Sequence, residues 1–152
     1  MPTEMVSRPL NMNTAGEAIL KKAPRISNKD GYICFLGIFV SSELSKKHCV
    51  ACEGGAIPMS TEESLKYVEK VPGWNLVVDR IEKEFRFRNY LDGLEFAYAL
   101  GKIAEEEDHH PDILVRWRRV EVTLMTHAIK GLSENDFIMA AKADELYKRF
   151  IF

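Results

Sequence analysis

Apolar and charged residues alternate through residues 75–88, "NLVVDRIEKEFRFR", where Ile81, Phe85 and Phe87 oppose Glu82, Glu84, Arg86 and Arg88 with a period of two. This pattern predicts a hairpin with one solvated face, although Lys83 interrupts the apolar side. Residues 91–108, "LDGLEFAYALGKIAEEED", change to helical spacing through Leu94, Ala97, Tyr98, Gly101 and Ala104. Pro111 disfavours helical geometry at His110, so this helix must end by about Asp108. "ILVRW" and "VEVTLMTH" then read as two strands joined by a tight turn near Arg118. In the second strand Val120, Val122, Leu124 and Thr126 share one face, and Glu121, Thr123, Met125 and His127 share the other. Ser60 with Glu63 and Ser133 with Asp136 have capping-box spacing. They start one helix over about 61–71, stopped by "PGW", and another running to the C-terminus.

The order α-β-β-α-β-β-α predicts an α+β fold: a two-layer sandwich of one four-stranded antiparallel sheet with the helices on one face. The other face needs cover, and self-association through an aromatic-rich surface is the expected solution, which points to a homo-oligomer. Residues 1–47 lack sustained periodicity and are expected to form a poorly ordered N-terminal extension, with the folded domain at 48–152.

Composition narrows the function. A chain of 152 residues, 46% hydrophobic, can bury one ordinary core. A net charge of −2 leaves no polycationic footprint, so nucleic acid is not an expected partner. The apolar run Tyr32–Val40 is too short to span a bilayer, and it lies far from Met1 for a signal peptide. Cys34, Cys49 and Cys52 are an odd set that suits a reducing compartment, so the cytoplasm is expected, with organelle or export targeting by the extension as the alternative. "HCVAC" places His48, Cys49 and Cys52 close together, but no second CxxC, HExxH or thioredoxin-like context accompanies it, so no metal is expected. GxGxxG, P-loop and GxSxG motifs are absent from the sequence.

The chemistry concentrates in "AEEEDHHPDILVRW", residues 104–117. Four acids at a helix C-terminus oppose the helix dipole and call for compensation. Glu105 stands four residues before His109 and on a continuing helical turn would reach that imidazole. His109, His110 and His127 gather at element ends, where imidazoles suit proton transfer near neutral pH. Thr126 and Asp136 are the nearby polar groups, and Trp74 and Trp117 read first as core or interface aromatics.

"EEEDHHP" followed by five residues and an aromatic, then "TLMTH" and "GLSENDF", together with "CEGG", "PGW" and "FRFRNY", resembles the pterin-4a-carbinolamine dehydratases from about Cys49 to Tyr147. The resemblance implies an α+β domain assembled as homodimers or homotetramers, acting without metal or organic cofactor. It implies dehydration of 4a-hydroxytetrahydrobiopterin to quinonoid dihydropterin, in functional link with an aromatic amino acid hydroxylase. By position, His110 would be the leading general base at N5, His127 would help the 4a-hydroxyl leave, and His109 would orient the pterin. Glu105 would support the histidines and Asp136 would hold one of them, with Asp108, Pro111, Thr126 and Trp117 also at the substrate. Trp117 stands where many relatives carry tyrosine, and Asp108 where they often carry a neutral residue. The family also implies two alternatives: a dimerisation module for a homeodomain transcription factor, and a pterin-binding helper in molybdopterin metabolism.

Overall fold

The computed structural model describes residues 43–50 and 57–151, all within one compact unit. Most of the expected extension, the Tyr32–Val40 run, Cys34, Cys52 and the Gly-rich loop at 51–56 lie outside the described residues. The elements follow the expected order: α1 (Thr61–Val68), β1 (Asn75–Val77), β2 (Arg80–Arg86), α2 (Tyr90–Glu107), β3 (Asp112–Arg116), β4 (Arg119–Leu124) and α3 (Glu134–Tyr147). Short 3-10 turns at His127–Ile129 and Lys148–Phe150 flank α3.

Both capping boxes form. At α1 the Ser60 amide donates to Glu63 Oε2 at 3.0 Å, and the Glu63 amide donates to Ser60 Oγ at 3.3 Å. α1 stops at Val68, before the expected 71, because the chain tightens into turns in which the Val71 amide donates to Val68 O and the Trp74 amide to Val71 O. Gly73 adopts a φ of 84° there, which a side chain would resist.

The strands form a single antiparallel sheet in the order β1-β2-β4-β3. Its inner face carries Ile81 and Phe85 opposite Leu124 and Val120, all buried against α2 and α3. Lys83, the interruption in the apolar face, is absorbed by an internal acid: its Nζ donates to Asp144 Oδ1 at 2.7 Å and to Pro72 O at 2.9 Å. Trp74 Nε1 donates to the other Asp144 oxygen at 3.2 Å, so the charge is paired where it enters the core.

Two expected surfaces differ. The outer face of the sheet carries no aromatic residue; Glu82, Glu84, Arg86, Arg119, Glu121 and Arg116 dominate it, and ion pairs such as Arg86–Glu84 at 2.9 Å lace it together. A stripe of exposed apolar residues lies instead on α2, at Leu91, Leu94 and Tyr98, while the outer face of the sheet contributes Leu114. The buried stripe of α2 runs through Gly93, Phe96, Leu100 and Ala104, not through Leu94 and Tyr98. Phe96 has the larger apolar surface to bury and packs against Phe85 and Phe87 with ring centroids at 4.9 and 5.3 Å. Gly93 lets α2 approach the sheet, since a Cβ there would lie 3.3 Å from Val120 Cγ2.

Residues 43–47, within the segment expected to be an extension, send Leu44 into the core, and Lys47 pairs with Glu134 at 2.7 Å. Among the described residues no helix is long and apolar enough to cross a membrane.

Candidate active site

The end of α2 determines the site. Asp108 takes a left-handed conformation, φ 49° and ψ 38°, and both its amide and that of His109 donate to Ala104 O. Aspartate tolerates this geometry better than most non-glycine residues. The reversal prevents the continuing helical turn that would have paired Glu105 with His109. Instead His109 turns inward, 8% exposed, and its Nε2 lies 2.8 Å from Asp136 Oδ1. His110 turns outward, and its Nε2 lies 2.8 Å from Glu105 Oε1. Each histidine thus has its own carboxylate. With Nε2–H donating to the acid, the neutral ring keeps its lone pair on Nδ1, ready to accept a proton.

Asp136 is completely buried, and α3 places it there as the third residue of a capping box. Its Oδ2 accepts from the Ser133 amide and from Thr126 Oγ1, each at 2.8 Å, while Oδ1 takes His109. Three donors on one carboxylate satisfy it without water and fix the His109 ring. Asp136 therefore acts from behind His109 and does not line the cleft. Thr126 lines it, with its hydroxyl committed to Asp136 and Ser133 Oγ.

Three of the four acids in the run have a defined structural role, and Glu106 lines the cleft. Glu105 takes His110, Asp108 makes the reversal, and Glu107 points back into the domain with its side chain 6% exposed. Glu107 accepts from the Cys49 amide at 2.7 Å and His48 Nδ1 at 3.0 Å, and pairs with Lys142 Nζ at 3.1 Å. Burial alone would raise its carboxyl, but the Cys49 amide and the Lys142 ammonium together hold it below the ordinary carboxylate range.

His109, His110, Thr126 and His127 open onto one cleft of about 630 Å³. His127 begins the 3-10 turn that follows β4, because β4 ends at Leu124 instead of continuing to His127. Of the expected site residues, Glu105 and Asp136 stand behind the histidines without lining the cleft, and Pro111 and Trp117 are not brought to it at all. Pro111 separates α2 from β3 without lining it, and Trp117 sits in the β3–β4 turn at the far end of β3, 72% exposed beside Arg118.

A strap formed by residues 48–50 makes another wall of the cleft that the sequence pattern does not reveal. His48, Cys49 and Val50 line the cleft together with Asn135. Asn135 clamps the strap in two directions, accepting from the Val50 amide at 3.0 Å and donating to Val50 O at 2.7 Å. No periodicity in "HCVAC" signals this, since the partners are 58 and 85 residues away. Among the described residues no group of three His, Cys, Asp or Glu side chains is arranged to hold a metal. Burial, and next the Glu107 charge, push the Cys49 thiol up to about 12. In a Cys34→Ser, Cys52→Ser background, iodoacetamide at pH 8 should therefore modify Cys49 at least about a hundredfold more slowly than it modifies free cysteine, read by mass spectrometry. Modification at the free-cysteine rate would contradict the buried-thiol assignment.

Comparison with known proteins matches residues 57–146 to the family model "Pterin 4 alpha carbinolamine dehydratase". A putative pterin-4-alpha-carbinolamine dehydratase of Rubrobacter xylanophilus is 46% identical over 106 residues, covering 69% of this chain and 99% of the relative. One from Halorhodospira halophila is 47% identical over 105 residues, covering 68% of this chain and 96% of the relative. A crystal structure described as a transcriptional coactivator/pterin dehydratase, from Brucella melitensis, superposes with a TM-score of 0.56 at 30% identity, covering 59% of this chain and 97% of that one.

Proposed function

The chain belongs to the pterin-4a-carbinolamine dehydratase family, and from that premise we propose that it dehydrates 4a-hydroxytetrahydrobiopterin to quinonoid dihydropterin by histidine general acid/base catalysis. The observation that carries the reading is the pair of carboxylate-backed histidines on one cleft: Asp136–His109 and Glu105–His110, each at 2.8 Å.

The reaction removes a proton from N5 and hydroxide from C4a, forming the C4a=N5 double bond and one water. It needs a base and an acid on neighbouring atoms of one bicyclic substrate. His110, its Nε2 engaged by Glu105, accepts the N5 proton on Nδ1. His127, which lines the same cleft, delivers a proton to the departing 4a-hydroxyl. His109 is held rigidly by Asp136 and orients the pterin. Each positioned proton transfer is worth about 10² to 10⁴ in rate. Met125 and Ala128, which flank Thr126 and His127 in the cleft wall, stand where the aminopyrimidinone edge is proposed to lie.

In this reading the protein serves cytoplasmic recycling of tetrahydrobiopterin beside an aromatic amino acid hydroxylase. It works as a homodimer or homotetramer, and the exposed Leu91, Leu94 and Tyr98 stripe on α2 supports assembly. The Brucella melitensis neighbour's description pairs a coactivator role with pterin dehydratase. The backed histidines favour catalysis for this chain, since a binding module does not require them.

A hydroxylase reaction limited by its tetrahydropterin, coupled to a dihydropterin reductase, tests the recycling role. Adding the protein should abolish carbinolamine accumulation, seen in the ultraviolet spectrum. Unchanged accumulation at equimolar protein would contradict that role.

A further inference from the structure

The strap at residues 48–50 precedes the segment matched by the family model, yet it forms one wall of the cleft. Its fastening is out of proportion to its length. Two backbone amides and one carbonyl are bonded to the side chains of Glu107 and Asn135, residues of two different helices. Glu107 lies two residues before His109 and Asn135 one residue before Asp136, so the elements that set the buried His109–Asp136 pair also set the strap. Lys142 braces the arrangement, bonding Ser45 O at 3.0 Å and pairing with Glu107.

His48 is the polar side chain that this fastening presents. Its Nδ1 is tied to Glu107 at 3.0 Å, while the side chain is 85% exposed and lines the cleft. Nε2 is its remaining polar atom, and with Nδ1–H donating to the acid the neutral ring carries an acceptor there. On the proposed pterin reaction, on which this inference rests, N5 and C4a must face the histidines at the end of α2. C6 is bonded to N5, so whatever C6 carries leaves the bicycle immediately beside the reacting edge and must meet a wall adjoining those histidines. The strap is such a wall.

We propose that His48 is a specificity residue: it contacts the C6 substituent of the pterin, hydrogen-bonding a hydroxylated side chain, with Glu107 as the residue that positions it. A hydroxyl on the substituent would donate to Nε2, whereas an unsubstituted alkyl group offers no partner. The bicycle itself is held elsewhere, so discrimination between pterins falls on the substituent alone.

The test uses two stable ligands, 6-(dihydroxypropyl)-7,8-dihydropterin and 6-methyl-7,8-dihydropterin, titrated by fluorescence against the full chain. His48→Ala should weaken the dihydroxypropyl ligand about tenfold, the effect of one lost hydrogen bond, and move the methyl ligand less than about twofold. His48→Gln, which retains an acceptor, should recover most of the difference. The exposed side chain can be removed without disturbing the Cys49 and Val50 backbone bonds, so thermal melting should not change. Equal losses for both ligands, or none for either, would overturn the proposal. Turnover of the 6-methyl carbinolamine by the wild type reads the dehydratase assignment separately. Its absence alongside His48-dependent binding would sink that assignment and leave this one standing, and binding of neither pterin would overturn both.

Discussion

His110→Ala should lower kcat/KM for the carbinolamine by about 10² to 10⁴ while leaving the fold intact. His110 is the histidine backed by Glu105 at the surface, and its side chain is 55% exposed. Exposed ion pairs contribute little to stability, and neither partner supports the core, so the thermal midpoint should move by no more than a degree or two. The loss should fall mainly on kcat, because the proton moves in the transition state and the ring is a minor part of the cleft wall. Glu105→Gln should reproduce a smaller part of the loss, because the neutral amide can still orient the ring but stabilises its protonated form less. A His110→Ala enzyme with wild-type kcat would remove His110 from the reaction. Steady-state and single-turnover rates on the same preparation decide it.

Asp136→Ala should do the opposite in order of effect, damaging the fold first. The carboxylate is fully buried and receives His109 Nε2, Thr126 Oγ1 and the Ser133 amide. Its removal strands all three donors and opens a space at the start of α3. Unsatisfied buried donors cost about 1–3 kcal/mol each, and the three stranded here share one site. Their costs overlap, so a loss of about 3–5 kcal/mol is expected, read from urea unfolding of the variant and wild type. Asp136→Asn should lose less stability, because the amide oxygen keeps one acceptor, but its NH₂ group now faces a donor. With the His109 ring no longer held in a single tautomer, activity should fall even where the Asn variant remains folded. An Asp136→Ala protein as stable as wild type would contradict the three-donor hub.

Local chemistry explains which of these features the sequence already displays. The two capping boxes need only a serine and an acid three residues apart, so Ser60–Glu63 and Ser133–Asp136 are visible in the chain. Strand faces depend on alternation, and Val120, Val122, Leu124 and Thr126 fall on the buried side as expected. Pro111 likewise bounds α2, whose last residue is Glu107. Glu105 and Asp136 are expected at the histidines by resemblance, but which acid serves which ring is not legible, because it hinges on one backbone choice. Asp108 in the left-handed region redirects the next two side chains, and nothing in residue identity obliges an aspartate to adopt it. Glu105 therefore serves His110 while Asp136, 27 residues further on, serves His109. Trp117 fails for a related reason. A strand of five residues carries it away from the helix end where His110 sits, so its sequence proximity to the histidines does not place it at the cleft. The strap at His48–Val50 is held by residues far away in the chain, and its two short polar clamps leave no periodic trace.

In the proposed reaction His110, backed by Glu105, and His127, on the same cleft, move the two protons of a pterin carbinolamine while His109 holds the bicycle. The most direct measurement is the disappearance of chemically generated 4a-hydroxytetrahydrobiopterin in stopped flow, with wild-type protein and with His110→Ala at equal concentration. The wild type should accelerate dehydration well above the uncatalysed rate, and the variant should lose most of that acceleration. A folded wild-type protein that leaves the carbinolamine to decay at its background rate would contradict the proposed reaction.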